Sequence, residues 1–354
     1  MRTIDRYIIA HIFGFTAVVG LALLAIYSFV GFVTGIDSTG QGKFGVLELM
    51  IYTLMQMPAG LYTLLPIIAM LGTLMGLGAL AGQSELIAMR AAGVSLLRIG
   101  RATLLAGVAL GIFGLVLGDW LAPAGSESAE AYKTKARTGI APGLGNHAVW
   151  LRDGDSIFHI QRLLSEDHVA DIEIFRLAPD MSLAAVLRAQ EGRYLDGVWH
   201  FSGISQTALS PGATTVSQSP TLDWQGSLSP EVLRLFVLEA DSLTMPGLMR
   251  LIRYLDSNRL DSAEYRLEFW RKLMAPFTVM AMMLFAIPFV LGSMRNSGAG
   301  QRLLIGILIG VGFYVINEVS SNLGQLYRWP PFLAAAVPTF VLASGGLYRL
   351  SRAR

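Results

Sequence analysis

Residues Leu49 to Ser84 read LMIYTLMQMPAGLYTLLPIIAMLGTLMGLGALAGQS, without one Asp, Glu, Lys or Arg. A helix that crosses hydrocarbon needs about 20 mostly apolar residues. The run therefore holds one long tilted span or two short ones, and Pro58 and Pro66 are expected to kink it. Tyr7 to Ile36, Ala102 to Gly118, Leu273 to Met294, Leu303 to Asn317 and Trp329 to Tyr348 are also free of charge. Leu303 to Asn317 is short but continues through Glu318 towards Leu326. Six such runs in one chain are too many for the buried helices of a soluble core and read as membrane spans. The first run is about twice the 7–15 residues of a signal-peptide core and lacks a small-residue cleavage site, so it reads as a retained span.

Composition agrees. Over 354 residues the chain is 53% hydrophobic and 15% charged, with a mean hydropathy of +0.53. Soluble domains run nearer about 25% charged. A net charge of +2 excludes polyanion binding by charge alone, so no nucleic acid is expected. With no Cys there is no disulfide framework and no thiolate chemistry.

Charge asymmetry decides how the second run is counted. If it is one span, Arg2, Arg6, Arg90, Arg98, Arg101, Arg295, Arg302, Arg349, Arg352 and Arg354 share one side. The short loops opposite then hold only Lys43 and Arg328. That is the positive-inside pattern, with both termini cytoplasmic. The expected fold is a polytopic α-helical membrane protein of six transmembrane helices, with an all-β, jellyroll-like periplasmic domain between helices 3 and 4. Residues 1–121 would hold helices 1–3 and a cytoplasmic coupling helix at 84–92. Residues 122–267 would form the periplasmic domain with flanking helices, and 268–354 helices 4–6.

The insert from Asp119 to Lys272 carries 20 of the 25 acids and 15 of the 27 bases. Asp153-Gly154 and Asp196-Gly197 each separate β-forming runs, Val149-Trp150-Leu151 from Ile157-Phe158 and Tyr194-Leu195 from Val198 to Phe201. These are hairpin signals. Ile172 to Ile174 and Ala185 to Leu187 suggest further strands, and Ser210-Pro211-Gly212 a turn. Ala124 to Arg137 and Met245 to Tyr254 look helical.

Catalytic chemistry is sparse. Gly42-Lys43 is followed by Phe44 and lacks the first glycine of a P-loop, so ATP hydrolysis by that route is excluded. There is no His-Glu-x-x-His motif. His11, His147, His159, His168 and His200 read as isolated histidines rather than metal ligands. No catalytic residue, metal site or resident cofactor is expected, and the chain reads as a non-enzyme.

Gly72 and Gly76, Gly78 and Gly82, Gly107 and Gly111, Gly114 and Gly118, and Gly306 and Gly310 are spaced for close helix contact. That contact could be internal or with a second subunit. Between spans two and three, Ser84 suits a helix N-cap, Glu85 the first turn, and Gly93 the position after the C-cap. The helix between them carries Leu86 and Met89 on one face beside Glu85 and Arg90. It reads equally as an interfacial loop helix or as a plug for a cytoplasmic partner.

Ser84 to Gly93 (SELIAMRAAG) resembles the coupling-helix signature of the lipopolysaccharide export permeases, the LptF/LptG family. Gly118 to Pro123, Trp150 to Gly154, Tyr265 to Lys272, Gly40-Gln41-Gly42 and Trp329-Pro330-Pro331 also resemble segments of that family, in the same order. The resemblance covers essentially the whole chain and is nearer the LptG branch than LptF. It implies the permease subunit of an ATP-driven exporter that extracts lipopolysaccharide from the outer leaflet of the bacterial inner membrane. The implied partners are LptF as heterodimer, a dimer of the LptB ATPase, LptC, and LptA for onward transfer. ATP and Mg would sit on the ATPase, and none on this chain.

By that resemblance Ser84, Glu85, Leu86, Met89, Arg90 and Gly93 couple to the ATPase. Lys133, Arg137, Lys43, Arg271 and Lys272 become candidates for lipopolysaccharide phosphates. The alternative for these bases is ordinary interfacial anchoring. Phe29, Phe32, Tyr62, Phe313 and Ile316 are candidates for its acyl chains, or else face bulk lipid. One departure from the family is that Asp37 and Ser38 stand where relatives carry paired lysines at the end of span one. Two alternatives remain open from the residues. A secondary transporter would need ionisable relays, and only Glu318, in or near span five or at its outer interface, is available. A mechanotransmitting subunit would carry no substrate.

Overall fold

The computed structural model describes residues 3–139, 148–165, 167–210, 213–291 and 298–352. Arg2, Arg295, Arg354, His147 and the Pro211-Gly212 turn lie outside the described residues. The chain divides into two compact units. One comprises Met1–Thr39, Val46–Ala129 and Arg266–Arg354; the other comprises Gly40–Gly45 and Glu130–Tyr265.

The first unit is helical. Among the described residues six helices are long and apolar enough to cross a membrane. They are α1 (Thr3–Gly35), α3 (Met57–Gly82), α5 (Leu96–Val116), α9 (Ala263–Leu291), α10 (Ala299–Leu326) and α11 (Pro331–Arg352). The chain is a polytopic helical membrane protein. Short helices α2 (Val46–Met55) and α4 (Glu85–Ala91) flank α3. The Leu49–Ser84 run thus contains one full span. Gln56 breaks it, and Pro58 falls in the first turn of α3, where a missing N–H is harmless. Pro58 therefore starts a helix instead of bending one, while Pro66 lies inside α3. At the far end of α5 a π-helical turn, Leu117–Leu121, leads into α6 (Ala122–Thr138).

α3 is the hub. In its most apolar window 72% of residues are buried, against 28% for α1 and 17% for α10. Small residues make this possible. Gly72 receives Thr16 of α1 with no room for a Cβ, and Gly76 lies tightly against the His11–Ile12 backbone. Gly306 and Gly310 of α10 receive Leu71 and Ile67 of α3, and Gly107 and Gly111 of α5 receive Met280 and Pro276 of α9. These glycine pairs therefore serve internal packing, where dispersion contact replaces the hydrophobic drive that lipid removes. The exposed apolar rows lie elsewhere: Leu21, Ile26, Phe29 and Val33 on α1, and Leu304, Leu308, Val311 and Val315 on α10.

The second unit is built on one antiparallel six-stranded sheet in sequence order: β1 (Val149–Asp153), β2 (Ser156–Ser165), β3 (His168–Leu177), β4 (Leu183–Leu195), β5 (Val198–Ser210) and β6 (Ala213–Trp224). Leu151 pairs with Phe158, Phe158 with Ile174, and Ile174 with Leu187. All four are buried, so one face of the sheet carries the core, as period-two alternation requires. Both Asp-Gly signals make hairpins. In the second, Asp196 (φ 50°) and Gly197 (φ 87°) form a two-residue loop between Leu195 and Val198. In the first, Asp153 stays in the ladder opposite Ser156, and the loop is Gly154-Asp155.

That shift frees Asp153 for another task. Its Oδ1 accepts from the Ser227 N–H (3.0 Å) and hydroxyl (2.6 Å), and its Oδ2 from Trp224 Nε1 (2.9 Å). Two helices follow the sheet, α7 (Pro230–Val237) and α8 (Met245–Ser257), and Asn258, just after α8, accepts from the Gly154 N–H (2.9 Å) and donates to Ser227 Oγ (3.2 Å). Tyr254 of α8 donates to the Arg152 carbonyl (2.7 Å). Burial, aided by the Asp153 charge, raises the Tyr254 phenol above its ordinary value and keeps it a donor. The buried hub pins the first hairpin to the end of β6 and to α8.

Candidate functional site

α4 has only seven residues, too few to hold itself as an isolated helix. Its C-terminus is fixed by a complete Schellman arrangement. The Val94 N–H donates to the Met89 carbonyl and the Gly93 N–H to the Arg90 carbonyl, both at 3.0 Å. Gly93 has φ 89°, a backbone state that suits glycine. Val94 is buried, and Met89 packs on the same core cluster.

The N-terminus departs from expectation. Ser84 adopts a left-handed conformation (φ 60°) and its hydroxyl caps nothing, so the N-cap reading is corrected. An N-cap needs extended backbone for its side chain to reach forward, and Ser84 instead makes a tight reversal after α3. Leu86 is buried in the bundle and Met89 half-buried. Leu86 anchors α4 and does not face outwards, which corrects its assignment to a docking face, while Met89 packs on the same core and stays partly exposed. Ile87, Ala88, Arg90 and Ala91 are exposed, and Glu85 is half-exposed.

Sequence reasoning missed what holds Glu85. Tyr7 of α1 donates its hydroxyl to Glu85 Oε2 (2.8 Å). Nearby, Arg98 Nε in the first turn of α5 meets Asp5 Oδ1 of α1 (2.9 Å). Ser95 caps α5 by accepting from the Arg98 N–H. The signal available in the sequence was slight: one acid and one phenol at the polar start of an otherwise apolar helix.

The candidate headgroup bases divide between the two units. In the sheet-bearing unit, Lys43, Lys133 and Arg137 come together on the last turns of α6. The Lys43 N–H donates to the Ala136 carbonyl (2.7 Å), and Arg137 donates to the Gln41 side chain. Gly42 (φ 62°) lies against the Arg137 carbonyl with no room for a Cβ, which explains glycine there. Lys43 and Arg137 are exposed, and Lys133 is half-buried one turn earlier.

In the helical unit the bases are already committed. Arg271 faces Glu318 of α10 (3.4 Å) and Glu268 (3.6 Å). Lys272 is 2% exposed and its Nζ donates to the Gly118 carbonyl in the π turn (2.9 Å). A π turn misaligns backbone carbonyls, and Lys272 supplies a donor to one of them. Its reading as a headgroup contact is corrected, because its charge is spent inside the bundle. Tyr62 wedges against Gly118, 5.7 Å beneath Lys272, so it too serves this joint. Of the remaining acyl-chain candidates, Phe29 and Ile316 are exposed, while Phe32 and Phe313 are half-buried.

This arrangement matches a known family. Residues 6–352 match the model of the lipopolysaccharide export system permease LptF/LptG. The chain belongs to that family. The lipopolysaccharide export system permease protein LptG of Escherichia coli strain K12 is 30% identical over 339 residues, covering 95% of this chain and 94% of the relative. LptG of Haemophilus influenzae strain Rd is 29% identical over 356 residues, covering 100% and 99%. The family resemblance seen in the sequence therefore holds, as does its lean towards the LptG branch.

Proposed function

We propose that this chain is the inner-membrane permease through which a separate ATPase, docked on α4, drives lipopolysaccharide from the outer leaflet towards a periplasmic bridge. It does so as the LptG-type half of a heterodimer with LptF, beside LptC and ahead of LptA. ATP and Mg bind on an LptB-type ATPase dimer.

The observation that carries this reading is α4 itself. A helix too short to stand alone is held between two spans by a buried Leu86 and a Schellman cap, with Glu85, Ile87 and Arg90 turned outwards. That is a rigid handle, and rigidity is what lets a motor's movement enter a bundle. Family membership supplies the substrate class. The distribution of arginines supports cytoplasmic termini and a periplasmic β unit. Lys43 and Arg137, both exposed, are the candidates for lipid phosphates, with Lys133 half-buried one turn earlier. The exposed apolar rows of α1 and α10, including Phe29 and Ile316, suit acyl chains or the second permease. A secondary transporter is less well supported, because Glu318 is committed to Arg271.

The test is to extract the wild-type complex in mild detergent and identify every co-purifying protein and glycolipid by mass spectrometry. The expected result is an ATPase, a second six-span permease and lipopolysaccharide. Recovery of the chain alone, under conditions that keep other membrane complexes whole, overturns the reading.

A further inference from the structure

The link between Glu85 and the first transmembrane helix has a consequence for how movement of α4 would spread. Two side chains from the first turns of α1 reach the segment that contains α4. Tyr7 holds Glu85 Oε2 at 2.8 Å, and Asp5 holds Arg98 Nε at 2.9 Å. Asp5 is itself buried. Around these polar contacts Ile8 and Ile12 of α1 share one buried cluster with Leu86 of α4, Val94 of the connecting turn and Ile99 of α5. The start of α1, α4 and the start of α5 therefore share the core that α3 and α9 also build.

The rest of α1 is different. Its buried residues end at Val19 and Gly20, and beyond them Leu21, Ile26, Phe29 and Val33 are exposed. This half of α1 packs on one side only, with Tyr27 against Gly60 of α3 and Gly35 against Leu49 of α2. The grip on Glu85 also leaves a vacancy for a partner. Tyr7 holds one carboxylate oxygen while Glu85 as a residue stays half-exposed, and a carboxylate has a second oxygen with which to accept from a basic group.

We propose that Tyr7 is a positioning residue that joins the first transmembrane helix to the coupling helix. It holds Glu85 ready for the ATPase and passes displacement of α4 into α1. This rests on the reading of α4 as the ATPase-docking helix, and it adds a polar link through which α1 is one of the spans that the displacement reaches.

The experiment uses the whole complex in vesicles containing lipopolysaccharide. It reads three quantities: ATPase recovered, ATP hydrolysed, and lipopolysaccharide released per ATP. Tyr7→Phe removes one hydroxyl and keeps the ring. It is expected to retain the ATPase and the melting temperature while lowering release per ATP about three- to tenfold, the scale of one hydrogen bond to a charged group near the surface. Glu85→Leu, which removes the acceptor, is expected to lower it too. The double variant should be no worse than Glu85→Leu alone, because both changes break the same contact. Normal release per ATP in Tyr7→Phe, or losses that multiply in the double variant, overturns the proposal. So does a loss confined to melting temperature, which marks a structural bond only. Absence of the ATPase from the wild-type complex instead defeats the docking reading, so the two failures are distinguishable.

Discussion

Glu85 and Lys272 are both ionisable residues at the margins of apolar helices, yet the fold treats them oppositely. Glu85 is held at one oxygen by Tyr7 and stays half-exposed. Lys272 is buried and bound to the Gly118 carbonyl. A charge kept near water costs little and remains available to a partner. A buried charge costs several kcal/mol and persists where it satisfies something inside. In this chain the first circumstance marks a handle and the second a joint, where the π turn lets α5 continue into α6. The distinction cannot be drawn from residue type.

The comparison can be broken first at Lys272. Lys272→Ala strips the Gly118 carbonyl of its donor and opens a void, which should destabilise the protein by about 3 kcal/mol or more. Thermal melting in detergent reads this. Lys272→Met refills the volume and should recover part of the loss; a melting temperature unchanged in both variants would make Lys272 no part of the joint. Asp153 sharpens the same point in the sheet-bearing unit. Asp153→Ala leaves the Ser227 N–H and Trp224 Nε1 without an acceptor, a loss of roughly 2–3 kcal/mol. Tryptophan fluorescence melting should show it. Gly93→Ala forces a side chain onto φ 89° at the end of α4 and should cost about 1 kcal/mol. That variant should also weaken ATPase recovery, because it loosens the handle. Smallest is Ile87→Ala on the exposed face of α4, expected to change stability by under about 0.5 kcal/mol while reducing ATPase recovery.

The spans were legible because each charge-free run has only one economical reading in lipid, and the hairpins because Asp-Gly between β-formers is a local signal. Gly93 was legible for the same reason: a helix stop needs nothing distant. Ser84 was misread because its neighbour in chain, the end of α3, forces a reversal that leaves no extended backbone for a cap. Leu86 was misassigned because spacing marks an apolar face without saying which side the bundle occupies. Lys272 was misread because the carbonyl it serves is created by a π turn far away in sequence. Tyr7 and Asp5 were invisible for the matching reason. Their partners, Glu85 and Arg98, lie about 80 to 90 residues along the chain, and only packing brings them together.

The central claim is that α4, through Glu85, is where this permease meets its motor. The most direct test compares ATPase recovered with the wild-type complex and with Glu85→Arg, using Lys133→Glu as a control on the other unit. The account predicts near-complete loss of the ATPase in Glu85→Arg, an unchanged melting temperature, and full recovery in Lys133→Glu. Full ATPase recovery in Glu85→Arg would contradict it.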